Sequence, residues 1–269
     1  MNDVFMRNVF KKQECTEYVL QVIMGRKDLK VLDQVLQKDY KNLQGRSAIL
    51  DCVVQDAEGK QFDVEIQQDA EGASPKRARY HSGLMDMNTL NPGQDFDELP
   101  ETYVVFITRD DILGYDLPIY HIKRKIEEVQ EDFKAEAYII YVNSHRQDDT
   151  ELGRLMQDFH CKDPRDIHSG ILAKRVYELK ETQEGVEFMS REMDEIYNEG
   201  AKFGEKRGRA QGLAEGLSKG LEKGAMEKAK ETALTLADRG MSVSDIADIV
   251  KVNVKLVQEW LSGSKSLVK

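Results

Sequence analysis

The chain has no apolar stretch approaching the roughly eighteen residues that a bilayer-spanning helix requires, so no helical membrane span and no membrane partner are expected. Its first residues, MNDVFMRNVFKKQE, carry an acid at position 3 and lack the basic-then-apolar layout of a signal peptide. Cysteine is scarce. Cys15, Cys52 and Cys161 are an odd number with no CxxC pair, which excludes a disulfide framework or a thiolate zinc site and predicts free thiols in a reducing cytoplasm. The five histidines, at 81, 121, 145, 160 and 168, fall at no metal-ligand spacing and read as structural or exposed. No three-acid pattern of the integrase-type transposases is present, and no organic cofactor is expected.

Positive charge is outweighed, with 39 Lys and Arg against 49 Asp and Glu. The net charge is -10, against what a phosphate-gripping surface wants. Residues 200–231, however, hold eight Lys or Arg against five Glu, so the rest of the chain carries about -13 and any nucleic-acid contact should be local. A site that clusters carboxylates around a cation restores positive charge where it is needed. Hydrophobic residues at 40% and charged residues at 33% describe a soluble globular protein.

The first forty residues read as helical, with Phe5, Val9, Phe10, Tyr18, Val19, Val22 and Ile23 at helical spacing. A β-hairpin follows: SAILDCVVQ and QFDVEIQQ flank the turn DAEGK, and the second strand alternates strictly. Phe62, Val64 and Ile66 share one face; Asp63, Glu65 and Gln67 share the other. SPKRARYHSGLMDMNTL predicts a helix with Pro75 in its first turn. YVVFIT (103–108) and AYIIYV (137–142) predict buried strands, with HIKRKIEEVQEDF between them as a helix or polar connector. Residues 148–197 read as helical and polar. This order predicts an α/β fold, a mixed sheet flanked by helices, over residues 1–197.

Glycine then recurs every fourth residue from Gly200 to Gly224. Each costs a helix about 1 kcal/mol relative to Ala, so residues 198–232 read either as a solvated, partly frayed helical linker or as a dimerisation seam. Residues 233–263 predict a small helical appendage of helix-turn-helix shape, with its turn near Val252 and Asn253. It is a packing module or a DNA reader, with Lys255 and Gln258 as the available contacts.

The chemistry concentrates between Asp51 and Gln67. Folding the hairpin at DAEGK brings Asp51 alongside Glu65, and two carboxylates at that distance repel unless a divalent cation lies between them. The backbone carbonyl of Ile66 is an additional oxygen for such an ion. An ordinary solvent-facing hairpin with alternating polar residues has the same spacing.

RSAILD, the hairpin and FDVEIQ together resemble the PD-(D/E)XK nuclease core in the family of recombination-promoting nucleases and putative transposases. NLQGRSAILD, SPKRARYHSGLMD, LPETYVVFITRDDILGYDLPIYHI, IIYVN, LGRLMQDFHCKDPRDI and LAKRVYELKETQEGVEFM are similar to its Gram-positive-type branch, so the resemblance covers most of residues 3–195. It implies a restriction-endonuclease-like fold and a metal-dependent DNA endonuclease linked to recombination or transposition. Asp51 and Glu65 would be catalytic metal ligands together with the Ile66 carbonyl, with Mg²⁺ or Mn²⁺ as the ion. Gln67 occupies the position of the motif Lys, a departure that removes a full positive charge; Leu50 stands where the motif has Pro.

Lys76, Arg77 and Arg79, at the start of the following helix, read as phosphate contacts or as a solvated helix end. Asp3 and Glu14 are candidates for a third acid. The expected partners are DNA and a second copy of the chain in a homodimer, and the expected location is cytoplasmic, on the nucleoid when DNA is bound. The alternative is a catalytically weak or inactive DNA-binding protein on the same scaffold, or a transposition factor that acts only within a larger complex.

Overall fold

The computed structural model describes residues 3–42, 45–67 and 70–265, with the backbone alone at 3, 70–71 and 263–265. Helices α1 (Asp3–Phe10) and α2 (Gln13–Met24) open the chain, and Gly25 ends α2 at φ +64°, a left-handed turn that glycine makes without steric cost. The helical reading of the first forty residues fails beyond this point, because Val31–Tyr40 forms strand β1. The stretch VLDQVLQKDY pairs along its whole length with β2 (Ala48–Asp56), from Val31–Asp56 to Tyr40–Ala48. Cross-strand pairing there overrides the helix propensity of Leu, Gln and Lys.

The hairpin forms as its sequence predicts. Strand β3 (Gln61–Gln67) returns along β2 after a turn in which Asp56 Oδ1 accepts the N–H groups of Glu58 and Lys60, both at 2.9 Å. Helix α3 (Pro75–Met87) follows, with Pro75 in its first turn and the Ser74 hydroxyl accepting the N–H of Arg77. Strands β4 (Thr102–Thr108) and β8 (Ala137–Asn143) are the two apolar runs. The segment between them holds no helix. Strand β5 (Ile119–Ile122) pairs antiparallel with β8, and β6 (Lys125–Ile126) and β7 (Glu131–Asp132) make a short exposed hairpin. Ile119 and Ile122 find partners on β8 that a lone polar helix would have lacked.

The sheet order is β1-β2-β3-β4-β8-β5, with β3, β4 and β8 parallel and the other neighbours antiparallel. This is a mixed six-stranded sheet with flanking helices, consistent with a restriction-endonuclease-like fold. One face packs on α1, α2, α4 (Glu151–His160) and α5 (Gly170–Glu181), and takes Phe62, Val64 and Ile66 into its core. Each such side chain contributes about 1.5–3 kcal/mol by leaving water. The other face packs on α3, where Leu50, Val53 and Phe106 meet Ala78, Leu84 and Met85.

Two compact units divide the chain, residues 1–193 and 194–269. Helix α6 (Gln183–Asp238) is continuous over 56 residues, so the glycine repeat is helical throughout. A Cβ at any glycine from Gly200 to Gly224 would meet open space. In the second unit Ala233, Ile246, Ala247 and Val257 form a small core between the end of α6, α7 (Val243–Val250) and α8 (Val254–Lys265). Lys251 caps α7 in the left-handed conformation, and Lys255 and Gln258 are exposed. Among the described residues no helix is long and apolar enough to cross a membrane.

Candidate active site

The register pairs of β2 and β3 are Gln55–Gln61, Val54–Phe62 and Val53–Asp63, and among the described residues they stop there. Beyond them a side chain replaces the ladder: Glu65 Oε1 accepts the backbone N–H of Asp51 at 2.9 Å. On the other side of Asp51, Gln37 of β1 adopts φ +53°, rare for a residue with a side chain, and its Nε2 donates to Asp51 Oδ1 at 3.2 Å. Asp51 is half-buried and borders a small cavity with Arg7, Leu36 and Val64. The Asp51 main chain and the Glu65 carboxylate are thus held together across the hairpin.

Strict alternation on β3 puts Asp63, Glu65 and Gln67 on the α3 face, but this face is not solvent. Asp63 and Glu65 are fully buried beneath α3. Glu65 Oε2 accepts two donors, Gln67 Nε2 at 3.1 Å and Arg77 Nη2 at 3.3 Å. Gln67 is half-buried, and its Oε1 rests where a Cβ would stand on Gly72. Ile66, between them, sends its side chain into the helical core, so only its backbone faces the chemistry.

Two residues that spacing did not single out complete the cluster. His81, one turn after Arg77 on α3, is buried, and its Nδ1 lies 2.9 Å from Asp63 Oδ2. Arg77 Nε donates to His81 Nε2 at 3.2 Å, which makes that nitrogen an acceptor and places the imidazole proton on Nδ1, toward Asp63. The signals were present in the sequence: Asp63 shares the parity of Glu65, and Arg77 and His81 are four apart on one helix face. Neither pattern says that a helix covers that face. The other four histidines stay outside the cluster; His160 bonds Ser144 and His168 bonds Asp158.

Electrostatically the cluster is under-neutralised. Burial, reinforced by the Asp51 charge, holds the Asp63 carboxyl well above the usual carboxylate range. Burial, then the charges of Asp63 and Asp51, raise Glu65 as well. Burial lowers His81, which keeps the imidazole neutral. The nearest full positive charge is Arg77, whose side chain is 39% exposed.

Ligand atoms of Asp63, Glu65 and His81 lie within 4.8 Å of one another. Both His81 nitrogens are already engaged, whereas the buried Asp63 Oδ1 has no hydrogen-bond partner. An orphaned buried oxygen beside two further carboxylates is an all-oxygen donor set of the kind that hard divalent cations take. The residues present therefore fit a metal ion.

The basic residues of α3 border an open groove of about 760 Å³. Lys76 and Arg79 are exposed along it, Arg46 enters from the start of β2, and Arg77 reaches from it to Glu65. Glu14 stands exposed on α2, outside the cluster, and the side chain of Asp3 lies outside the described residues, as does Gln68.

No curated protein and no solved structure matches the chain. Residues 15–160 match the family model of PD-(D/E)XK nuclease family transposases. That span covers β1 through α4 and includes Asp51, Asp63, Glu65, Gln67 and the whole of α3. It is also more than half of the 269 residues, and the chain belongs to this family.

Proposed function

We propose that this protein is a divalent-metal-dependent endonuclease that hydrolyses DNA phosphodiester bonds, with Mg²⁺ as the working ion and Mn²⁺ able to replace it. The observation that carries this reading is Glu65: a fully buried carboxylate bonded to the Asp51 main chain, beside a buried Asp63 oxygen that no donor satisfies. Asp51, Glu65 and the Ile66 carbonyl are the residues that would hold the ion, with the unsatisfied Asp63 oxygen as a further donor beside them. When bound, such an ion supplies Lewis acidity, generating a nucleophile from water near neutral pH and neutralising charge on the phosphate.

The chain's own residues do the rest. Glu65 is fixed by three hydrogen bonds, from Asp51, Gln67 and Arg77, and so presents its carboxylate in one orientation. Gln67 can orient the attacking water by its amide, although it neither carries charge nor donates a proton the way a lysine does. Lys76 and Arg79 hold flanking phosphates from the groove, and the acidic remainder of the surface keeps DNA contact local. Cutting both strands takes two such sites, which a homodimer provides.

The test is cleavage of supercoiled plasmid by purified protein in Mg²⁺, in Mn²⁺ and in EDTA, with Asp51→Ala and Glu65→Ala alongside. Metal-dependent cutting that both substitutions abolish is expected. The neutral Gln67 favours a second reading, a catalytically weak DNA-binding protein on the same scaffold. Folded protein that shifts DNA on a gel and never cuts would select it.

A further inference from the structure

Phosphodiester hydrolysis accumulates negative charge on the phosphate, and the motif lysine is the group expected to meet it. Here that position is Gln67, so the charge has to come from elsewhere in the chain or be missing. The structure supplies a cation at the same spot. Gln67 Nε2 and Arg77 Nη2 converge on one oxygen, Glu65 Oε2, at 3.1 and 3.3 Å, the first from β3 and the second from α3. The guanidinium is held at two points: Nη2 on Glu65, and Nε on His81, which is itself anchored to the buried Asp63. A planar fork pinned in this way loses little entropy when it takes another oxygen. Arg77 itself borders the open groove that Lys76 and Arg79 line.

We propose that Arg77 is the catalytic cation of this site, replacing the motif lysine from the neighbouring helix and contacting the scissile phosphate. Burial of Glu65 and Asp63 gives the arginine a place to be held, and its 39% exposure gives it access to substrate. A residue that only balanced the Glu65 charge would not need to open onto a basic groove. The assignment rests on the nuclease reading above and deepens it.

The experiment compares wild type, Arg77→Gln and the double variant Arg77→Gln/Gln67→Lys. It reads single-turnover plasmid cleavage in Mg²⁺, and fluorescence-anisotropy binding of a duplex in EDTA, where nothing is cut. Arg77→Gln should slow cleavage by about 10²-fold or more, the size of losing one pre-organised donor to a developing charge. Duplex affinity should fall by less than about tenfold, as for a single phosphate contact. Lysine at 67 should recover most of the lost rate, because it returns a positive charge to the same oxygen-rich corner. Wild-type cutting by Arg77→Gln, or a folded double variant no faster than Arg77→Gln, overturns the assignment and leaves the nuclease reading standing. A wild-type protein that cuts in neither Mg²⁺ nor Mn²⁺ overturns both.

Discussion

Asp63 and His81 face each other across the sheet–helix interface at 2.9 Å, both closed off from solvent, one from the centre of β3 and the other from the second turn of α3. This bond ties the strand that carries the motif to the helix that carries the basic groove. Removing the imidazole takes away the His81 bond to Asp63 Oδ2 and opens a void under α3. His81→Ala should therefore destabilise the fold by about 2–4 kcal/mol, read from urea denaturation at pH 7. In a double-mutant cycle with Asp63→Asn the two losses should be clearly less than additive. Additive losses would show that the pair does not couple.

The raised carboxyls of Asp63 and Glu65 set how stability follows pH. Both groups bind a proton more tightly folded than unfolded, so they favour folding below the ordinary carboxylate pKa of about 4. That contribution is lost as pH rises through their elevated folded values. In EDTA the melting temperature should decline from mildly acidic to alkaline pH. Saturating Mg²⁺ should flatten the decline, since a cation bound to the ionised carboxylates stabilises the form that alkali produces. A metal-induced rise in Tm that shrinks with increasing pH would contradict this account.

Gly72 and Gln67 make a separable test. A Cβ at 72 collides only with the Gln67 side chain, and its closest atom is the terminal Oε1. Gly72→Ala should thus cost less than about 1 kcal/mol in stability while displacing the amide from Glu65. We expect a normal melting curve together with cleavage slowed by about tenfold or more, comparable with the cost of misplacing a positioning group. Unchanged cleavage would mean that the Gln67 amide has no task in the reaction.

Lys76 and Arg79 are exposed on the groove and bond to neither motif carboxylate among the described contacts. As phosphate contacts they should raise affinity for all duplex sequences alike, and their removal should lower it uniformly. Each substitution to Ala should reduce the slope of log affinity against log salt by about 1. The titration is binding of a labelled duplex in EDTA between low and physiological salt. A slope that stays at its wild-type value would remove these residues from the interface.

The shared face of the candidate residues was legible in the sequence because β-structure has a period of two. Once QFDVEIQ was read as a strand, the shared face of Asp63, Glu65 and Gln67 followed, and the DAEGK turn brought Asp51 toward Glu65. What covers that face was not legible. Alternating polar residues look the same whether they meet water or the underside of α3, and burial is what turns Asp63 and His81 into members of the cluster. Strand β1 was missed for a related reason: VLDQVLQKDY has no continuous apolar run, and its place in the sheet comes from its partner β2. Strand β5 is four residues long and likewise owes its form to β8. The glycine repeat carried the opposite lesson. Its local helix cost was legible, yet α6 runs through it unbroken.

Since the backbone ladder stops at Val53 and Asp63, the amide proton of Asp51 is guarded by a side chain instead of a neighbouring strand. Its chemical shift and its exchange with solvent should follow the Glu65 carboxylate directly. In an isotope-labelled sample that single peptide group becomes a native gauge, distinguishing a motif glutamate that carries a proton from one that carries a cation or neither.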